Sequence, residues 1–316
     1  MVAASLSAQR GRQFAPEQIV MTNGTFAGLS IVLTAFVDPG DEVIFISPPW
    51  FFYEALIPAA GATPVGVDAD RTTFDLDIGA IEAAMTERTR AIIVNSPNNP
   101  TGVIYPPETL GRLGDLLRSA SERGGRPIYL FSDEAYNRIV FDGAAYPSPT
   151  DFYNHSLLLY TYGKTLLAPG ERLGYIAVCP AMPDQGRVLE SLFVAQALTG
   201  WAFPVASLQH ALADIEGLTI DIGHLQSKRD RMADGLSRAG YQVNRPAGTF
   251  YLMVRSPWPD DMEFCMALVE RGVFVLPGST FEMPGWFRIS LTANDEMITR
   301  SLPVFESLAG KAPSRR

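Results

Sequence analysis

Seven short apolar runs, at residues 18–21, 42–46, 63–67, 91–95, 128–133, 156–160 and 175–179, alternate with stretches of helical spacing at 26–36, 50–60, 78–85 and 107–121. Several of the runs are apolar throughout, which is the pattern of strands covered on both faces. Strand–helix alternation of this kind predicts an α/β fold built on a doubly wound, mostly parallel seven-stranded sheet. After about Gln196 the pattern changes. Residues 206–239 predict one long helix, strands are expected near 248–254 and 286–291, and helices at 261–271 and 294–308. The division expected is a large domain over residues 1–205 and a smaller α+β domain over 206–316, ending in a polar, frayed tail from 309 onward.

A chain of 316 residues with 47% hydrophobic and 19% charged content can bury a core of that size. Its formal net charge of -9 argues against nucleic acid or an anionic membrane surface as the main partner. No apolar run is long enough to span a bilayer, and residues 1–6 lack the basic start and apolar stretch of a signal peptide. The two cysteines, Cys179 and Cys265, are too few for a disulfide framework and fit a reducing cytoplasm. The three histidines are scattered, and no metal site is expected.

The residues that carry chemistry stand where strands end, the side of an open α/β sheet on which ligands bind. Gly24-Thr25-Phe26 joins the first strand to the first helix, so that free amides and the positive end of the helix dipole meet an anion such as a phosphate. Trp50 follows the second strand, where an aromatic either packs in the core or lies flat on a planar ring. Asn99 projects from the loop Asn95-Ser96-Pro97-Asn98-Asn99-Pro100-Thr101-Gly102, whose prolines and glycine fix an irregular path. Asp133 ends an apolar strand. It is either a helix N-cap or a buried carboxylate that keeps a pyridine nitrogen protonated. Tyr136, three residues on, falls on the same face if a helix opens there. Lys164, in Thr161-Tyr162-Gly163-Lys164, lies just beyond another apolar strand, where desolvation makes an amine a nucleophile toward an aldehyde. Arg172 adds a fixed cation. An amine, an anion for a pyridinium, donors for a phenolic oxygen and a cation for a phosphate together form the inventory that pyridoxal 5'-phosphate requires of a protein.

On these motifs the chain resembles the class I/II aminotransferases, the fold-type-I enzymes that use pyridoxal 5'-phosphate, over nearly its whole length. The resemblance implies that Lys164 carries the cofactor covalently and that Asp133 partners its ring nitrogen. It implies that Asn99 and Tyr136 bond its phenolic oxygen, that Trp50 stacks on the ring, and that Gly24, Thr25, Phe26, Thr161 and Arg172 form the phosphate cup. Arg288, in Trp286-Phe287-Arg288-Ile289-Ser290, is similar to the arginine that grips the substrate α-carboxylate, beside Asn99. The partners implied are an amino acid, a 2-oxo acid and a second copy of the chain. Two departures stand out. Gly163 occupies a position where the family often has serine or threonine. Only Met1–Glu17 precedes the region matched, where family members carry a longer segment, so the chain is expected to bind cofactor better than it catalyses.

The activity implied is amino-group transfer between an L-amino acid and a 2-oxo acid, with Lys164 moving the α-proton. A β-eliminating or cyclising lyase would use the same residues. A catalytically impaired homologue is a third reading. A cofactor-binding regulator would need a basic DNA-binding module, which the sequence lacks.

Overall fold

The computed structural model describes residues 1–310, so the expected frayed tail lies outside the described residues from position 311 onward. In chain order the elements are α1 (Val2–Arg10), β1 (Ile19–Thr22), α2 (Thr25–Phe36), β2 (Glu42–Ser47), α3 (Tyr53–Ala59), β3 (Thr63–Asp68), α4 (Ile78–Ala84), β4 (Thr89–Asn95), α5 (Pro107–Gly124), β5 (Tyr129–Asp133), β6 (Ser156–Thr161), α6 (Tyr162–Thr165) and β7 (Gly174–Val178). There follow α7 (Gln185–Leu198), α8 (Ala206–His210), α9 (Leu212–Ile215), α10 (Ile222–Arg238), β8 (Val243–Asn244), β9 (Tyr251–Arg255), α11 (Asp261–Val269), β10 (Leu276–Pro277), β11 (Trp286–Ser290) and α12 (Asp295–Leu308).

The first seven strands form one sheet in the order β1-β7-β6-β5-β4-β2-β3. Strands β6, β5, β4, β2 and β3 pair in parallel, and β7 runs antiparallel to both of its neighbours. The apolar strands of the sequence follow from burial on both faces. Val43, Phe45, Ile93 and Phe131 pack under α2 and α7, whereas the alternate residues Ile44, Ile46, Ile92 and Leu130 pack under α4 and α5. Helix α1 closes a third patch. Its Val2, Ala3 and Leu6, with Phe14, cover Leu158, Tyr160, Tyr175 and Ala177 of β6 and β7. Sequence periodicity gave no sign of this helix, because nine residues with three buried positions leave too short a stripe to read.

The second sheet has four antiparallel strands in the order β10-β11-β9-β8. Leu252, Val254, Phe287 and Ile289 on one face pack against Leu225, Met232 and Leu236 of α10, Phe264 and Leu268 of α11, and Ile298 and Phe305 of α12. Residues 206–239 do not make the single helix expected. They form α8, α9 and α10, with a short interruption at Ala211 and a longer one at Gly217 and the non-helical Leu218–Ile220 segment. Asp221 then starts α10 afresh, accepting from the His224 amide at 2.8 Å. Among the described residues, no helix is long and apolar enough to cross a membrane.

Candidate active site

The ends of β1, β2, β4, β5 and β6 deliver side chains to one cavity. Thr25, Phe26, Trp50, Asn99, Asp133, Tyr136, Thr161, Lys164 and Arg172, nine of the residues singled out in the sequence, line it together. Lys164 sits on the short α6 directly after β6. Its Nζ lies 5.7 Å from the Tyr136 ring centre and 5.9 Å from that of Phe250. Among the described residues, no carboxylate comes within ion-pair distance of it. The amine therefore faces aromatic surface and open cavity.

Asp133 is buried at the end of β5. Its Oδ2 accepts from the Tyr53 hydroxyl at 2.7 Å and its Oδ1 from the Ala135 amide at 3.3 Å. Burial pushes its carboxyl up to about 6, against the lowering effects of the Tyr53 hydrogen bond, the Ala135 amide and the Lys164 charge. The helix that a capping aspartate would start does not form, and residues 135–138 make a turn instead. The carboxylate is thus left facing the cavity. Asn95, at the end of β4, fixes both neighbours. Its Nδ2 donates to the Asp133 carbonyl at 2.8 Å, and its Oδ1 accepts from the Asn99 amide at 2.7 Å.

The anion end of the cavity is built around the start of α2. Gly24 precedes the helix with φ 86°, and a Cβ there would stand 2.9 Å from Arg172 Nη2 and 3.1 Å from Thr161 Oγ1. Only glycine lets the arginine and threonine close over the helix terminus. The Thr25 hydroxyl is buried with no hydrogen-bond partner, and the first amides of an α-helix have none within the helix. Arg172 is exposed and spends one donor on the Pro169 carbonyl at 2.9 Å. An unpartnered hydroxyl, free amides and an exposed guanidinium fit a phosphate. The departure at Gly163 also has a local reason. A Cβ there would lie 3.2 Å from the Ala168 carbonyl oxygen, so a serine or threonine would crowd the turn that carries Lys164.

Arg288 comes from β11 of the second sheet. Its Nη1 donates to Asn99 Oδ1 at 2.8 Å, and its guanidinium lies 3.9 Å from the Tyr251 ring centre. Burial lowers its pKa from the usual arginine value, and among the described residues no carboxylate pairs with it. Tyr136 is buried, and its hydroxyl is held well above the usual tyrosine range by that burial and by the adjacent Tyr251. Sequence reasoning missed Tyr53, Asn95 and Tyr251. Asn95 stood in the Asn95–Gly102 loop already noted and Tyr53 three residues after Trp50, but their target was another site residue and not a ligand.

A fold of this topology, with an amine, a buried carboxylate and an exposed guanidinium gathered at the strand ends of one sheet, is that of an α/β enzyme. The chain belongs to the class I and II aminotransferases, whose family model matches residues 2–304, and it is an aminotransferase. A probable aspartate/prephenate aminotransferase of Thermus aquaticus is 33% identical to it over 311 residues, covering 96% of this chain and 79% of the relative. The crystal structure of an amino transferase from Eubacterium rectale is similar with a TM-score of 0.93 and 37% identity, covering 97% of this chain and 77% of that one. An aspartate aminotransferase structure from Thermotoga maritima gives 0.86 and 28%, covering 97% of this chain and 80% of that one. The match begins at residue 2 and so includes α1.

Proposed function

We propose that the cavity holds pyridoxal 5'-phosphate and that Lys164, Asp133 and Arg172 are its three principal anchors. The observation that carries this is their convergence from β5, β6 and the segment before β7 onto a cavity whose Thr25 hydroxyl has no partner. Thr25, the Phe26 amide, Thr161 and Arg172 hold the phosphate, with Gly24 leaving room for it. Asp133 takes the ring nitrogen, Trp50 covers the ring, and Asn99 and Tyr136 meet the phenolic oxygen. Bound there, the cofactor supplies an aldehyde for the substrate amine and a ring that draws electrons from its α-carbon. Lys164 Nζ takes the proton from that carbon, as the amine that faces the open cavity. Arg288 waits without a carboxylate partner and receives the substrate α-carboxylate, with Asn99 fixing its orientation.

The names of the relatives make aspartate and prephenate the first substrates to try. A second copy of the chain is the partner proposed. Phe193 and Phe203 stack 5.7 Å apart on the surface, and Leu198 at the end of α7 is 78% exposed. Two buried, unpaired cysteines accord with work in the cytoplasm. The deciding experiment is borohydride treatment of the protein saturated with pyridoxal 5'-phosphate, followed by peptide mapping. The label belongs on the peptide that contains Lys164. A label on another lysine, or none, overturns the assignment.

A further inference from the structure

Directly after Asp133 stands a second buried acid that the proposed chemistry does not use. Glu134 has a fully buried side chain turned away from the cavity, and it gathers donors from four directions. Ser132 Oγ donates at 3.1 Å, Asn137 Nδ2 at 3.1 Å, Arg10 Nη2 at 2.5 Å, and Ser148 Oγ makes a further short bond. Its amide donates to the Leu159 carbonyl at 2.9 Å, and the Asp133 carbonyl accepts from the Ser96 amide at 3.2 Å as well as from Asn95. The Asp133–Glu134 peptide is thus pinned from both sides.

Arg10 is the last residue of α1. Its side chain is 6% exposed, and it is the one ion-pair partner of Glu134 among the described residues. Its guanidinium lies 5.3 Å from the Tyr146 ring centre, and Asp151 stands 3.9 Å away. An acceptor-only group buried among neutral donors is costly unless a cation compensates it, and removing that cation strands the charge.

We propose that Arg10 is a positioning residue for the transamination site: it neutralises Glu134 behind the strand end and so keeps Asp133 in the cavity as a carboxylate on a fixed backbone. Helix α1 then does more than cover β6 and β7, because its final residue sets the charge beside the group that faces the cofactor. The groups facing Glu134 are Arg10, Asp151, Tyr146 and Tyr175, and those facing Asp133 are Tyr53, Tyr136, Lys164 and Glu134 itself. Of these, Tyr53 and then Lys164 lower the proton affinity of Asp133, and Glu134 raises it by a smaller effect. An uncompensated Glu134 therefore pushes Asp133 toward its neutral form.

The proposal rests on Asp133 serving the ring nitrogen, but its test does not need bound cofactor. In cofactor-free protein the Asp133 carboxyl carbon, assigned by its loss in Asp133→Asn, is titrated by NMR. In Arg10→Met the midpoint should rise by about one pH unit, and cofactor affinity should fall about tenfold. In Arg10→Met/Glu134→Gln, which removes both charges, the midpoint should return to the wild-type value. A helix that is merely structural would lower thermal stability and leave the midpoint where it was. An unchanged midpoint in the single variant, or an unreturned one in the double, overturns the proposal. If Arg10→Met does not fold, Glu134→Gln decides, since the unopposed Arg10 must then lower the midpoint. Failure of cofactor to bind the wild type would defeat the proposed function and leave this titration intact.

Discussion

At the scale of single residues the site separates what residue type reveals from what surroundings decide. Lys164, Asp133, Asn99 and Tyr136 could be singled out because each is a polar or ionisable type at, or within a few residues beyond, the end of an apolar run. Tyr53 and Asn95 could not, because Tyr53 holds another side chain and Asn95 the backbones of Asp133 and Asn99, and nothing in a sequence marks a hydroxyl aimed at a carboxylate eighty positions on. The environment of Asp133 has a measurable consequence. Its carboxyl stands at about 6 against an ordinary 3.8 because burial disfavours the charged form. A folded-state value raised above the unfolded one adds stability that is full below about pH 4 and is lost as pH rises through about 6. The shift corresponds to about 3 kcal/mol. Urea unfolding of cofactor-free protein between pH 4 and 7 should therefore show wild type losing stability relative to Asp133→Asn, whose amide does not titrate. Groups common to both proteins cancel in that comparison, and parallel curves would contradict the burial argument. Once cofactor is added, Asp133→Asn should still bind it but should slow α-proton removal severely, since an amide cannot hold the ring nitrogen protonated.

At the scale of elements, all seven strands of the large sheet lie close to where the apolar runs predict, and in β2, β4, β5, β6 and β7 burial on both faces writes the same signal at nearly every position. Helices were less faithful. The first helical residue after β2 is Tyr53 and not Trp50, which leaves Trp50 in the preceding turn and at the cavity. The segment 206–239 is apolar and charged in helical proportion throughout, so only Gly217 and the Asp221 cap mark its break. In the proposed reading, helix α2 makes an element boundary into a binding device. Its start is usable only because Gly24 adopts φ 86°, ψ 175° and yields space to Arg172 and Thr161. In Gly24→Ala the backbone strain alone costs on the order of 1–3 kcal/mol. The added methyl would also push Arg172 off the helix end. Cofactor affinity, read by titrating its absorbance, should fall by at least about tenfold, with the affinity for a dephosphorylated cofactor analogue changing less. Equal losses for the two ligands would mean that the anion cup lies elsewhere.

At the scale of the whole molecule, the site is a joint between two sheets, and the Asn95–Gly102 loop is the seam. Arg288 of β11 reaches Asn99 at 2.8 Å, Asn244 of β8 donates to the Thr101 carbonyl at 2.8 Å, and the Ala247 and Gly248 amides both donate to the Gly102 carbonyl at 3.0 Å. The fit leaves no slack. A Cβ on Gly102, whose φ is 72°, would fall 2.2 Å from Pro246 Cβ, and one on Gly248 would fall 2.7 Å from Pro97 Cβ. Sequence shows such glycines as turn residues, because the proline each one abuts is more than a hundred positions away. Gly102→Ala should drive a wedge into this seam. The large sheet carries Lys164, Asp133 and the start of α2, whereas Arg288 rides on the second sheet. Spreading the two should therefore harm substrate capture before it harms cofactor binding. The expected result is a KM for amino acid substrates raised by about tenfold or more, from misplacing a buried carboxylate contact, with cofactor affinity within a few-fold of wild type. A reacting amine without a carboxylate has no use for Arg288, and its rate should change little. If cofactor affinity collapses while KM holds, the loop serves the large sheet alone. Arg288 would then have to meet substrate by a path that does not depend on how the two sheets are clasped.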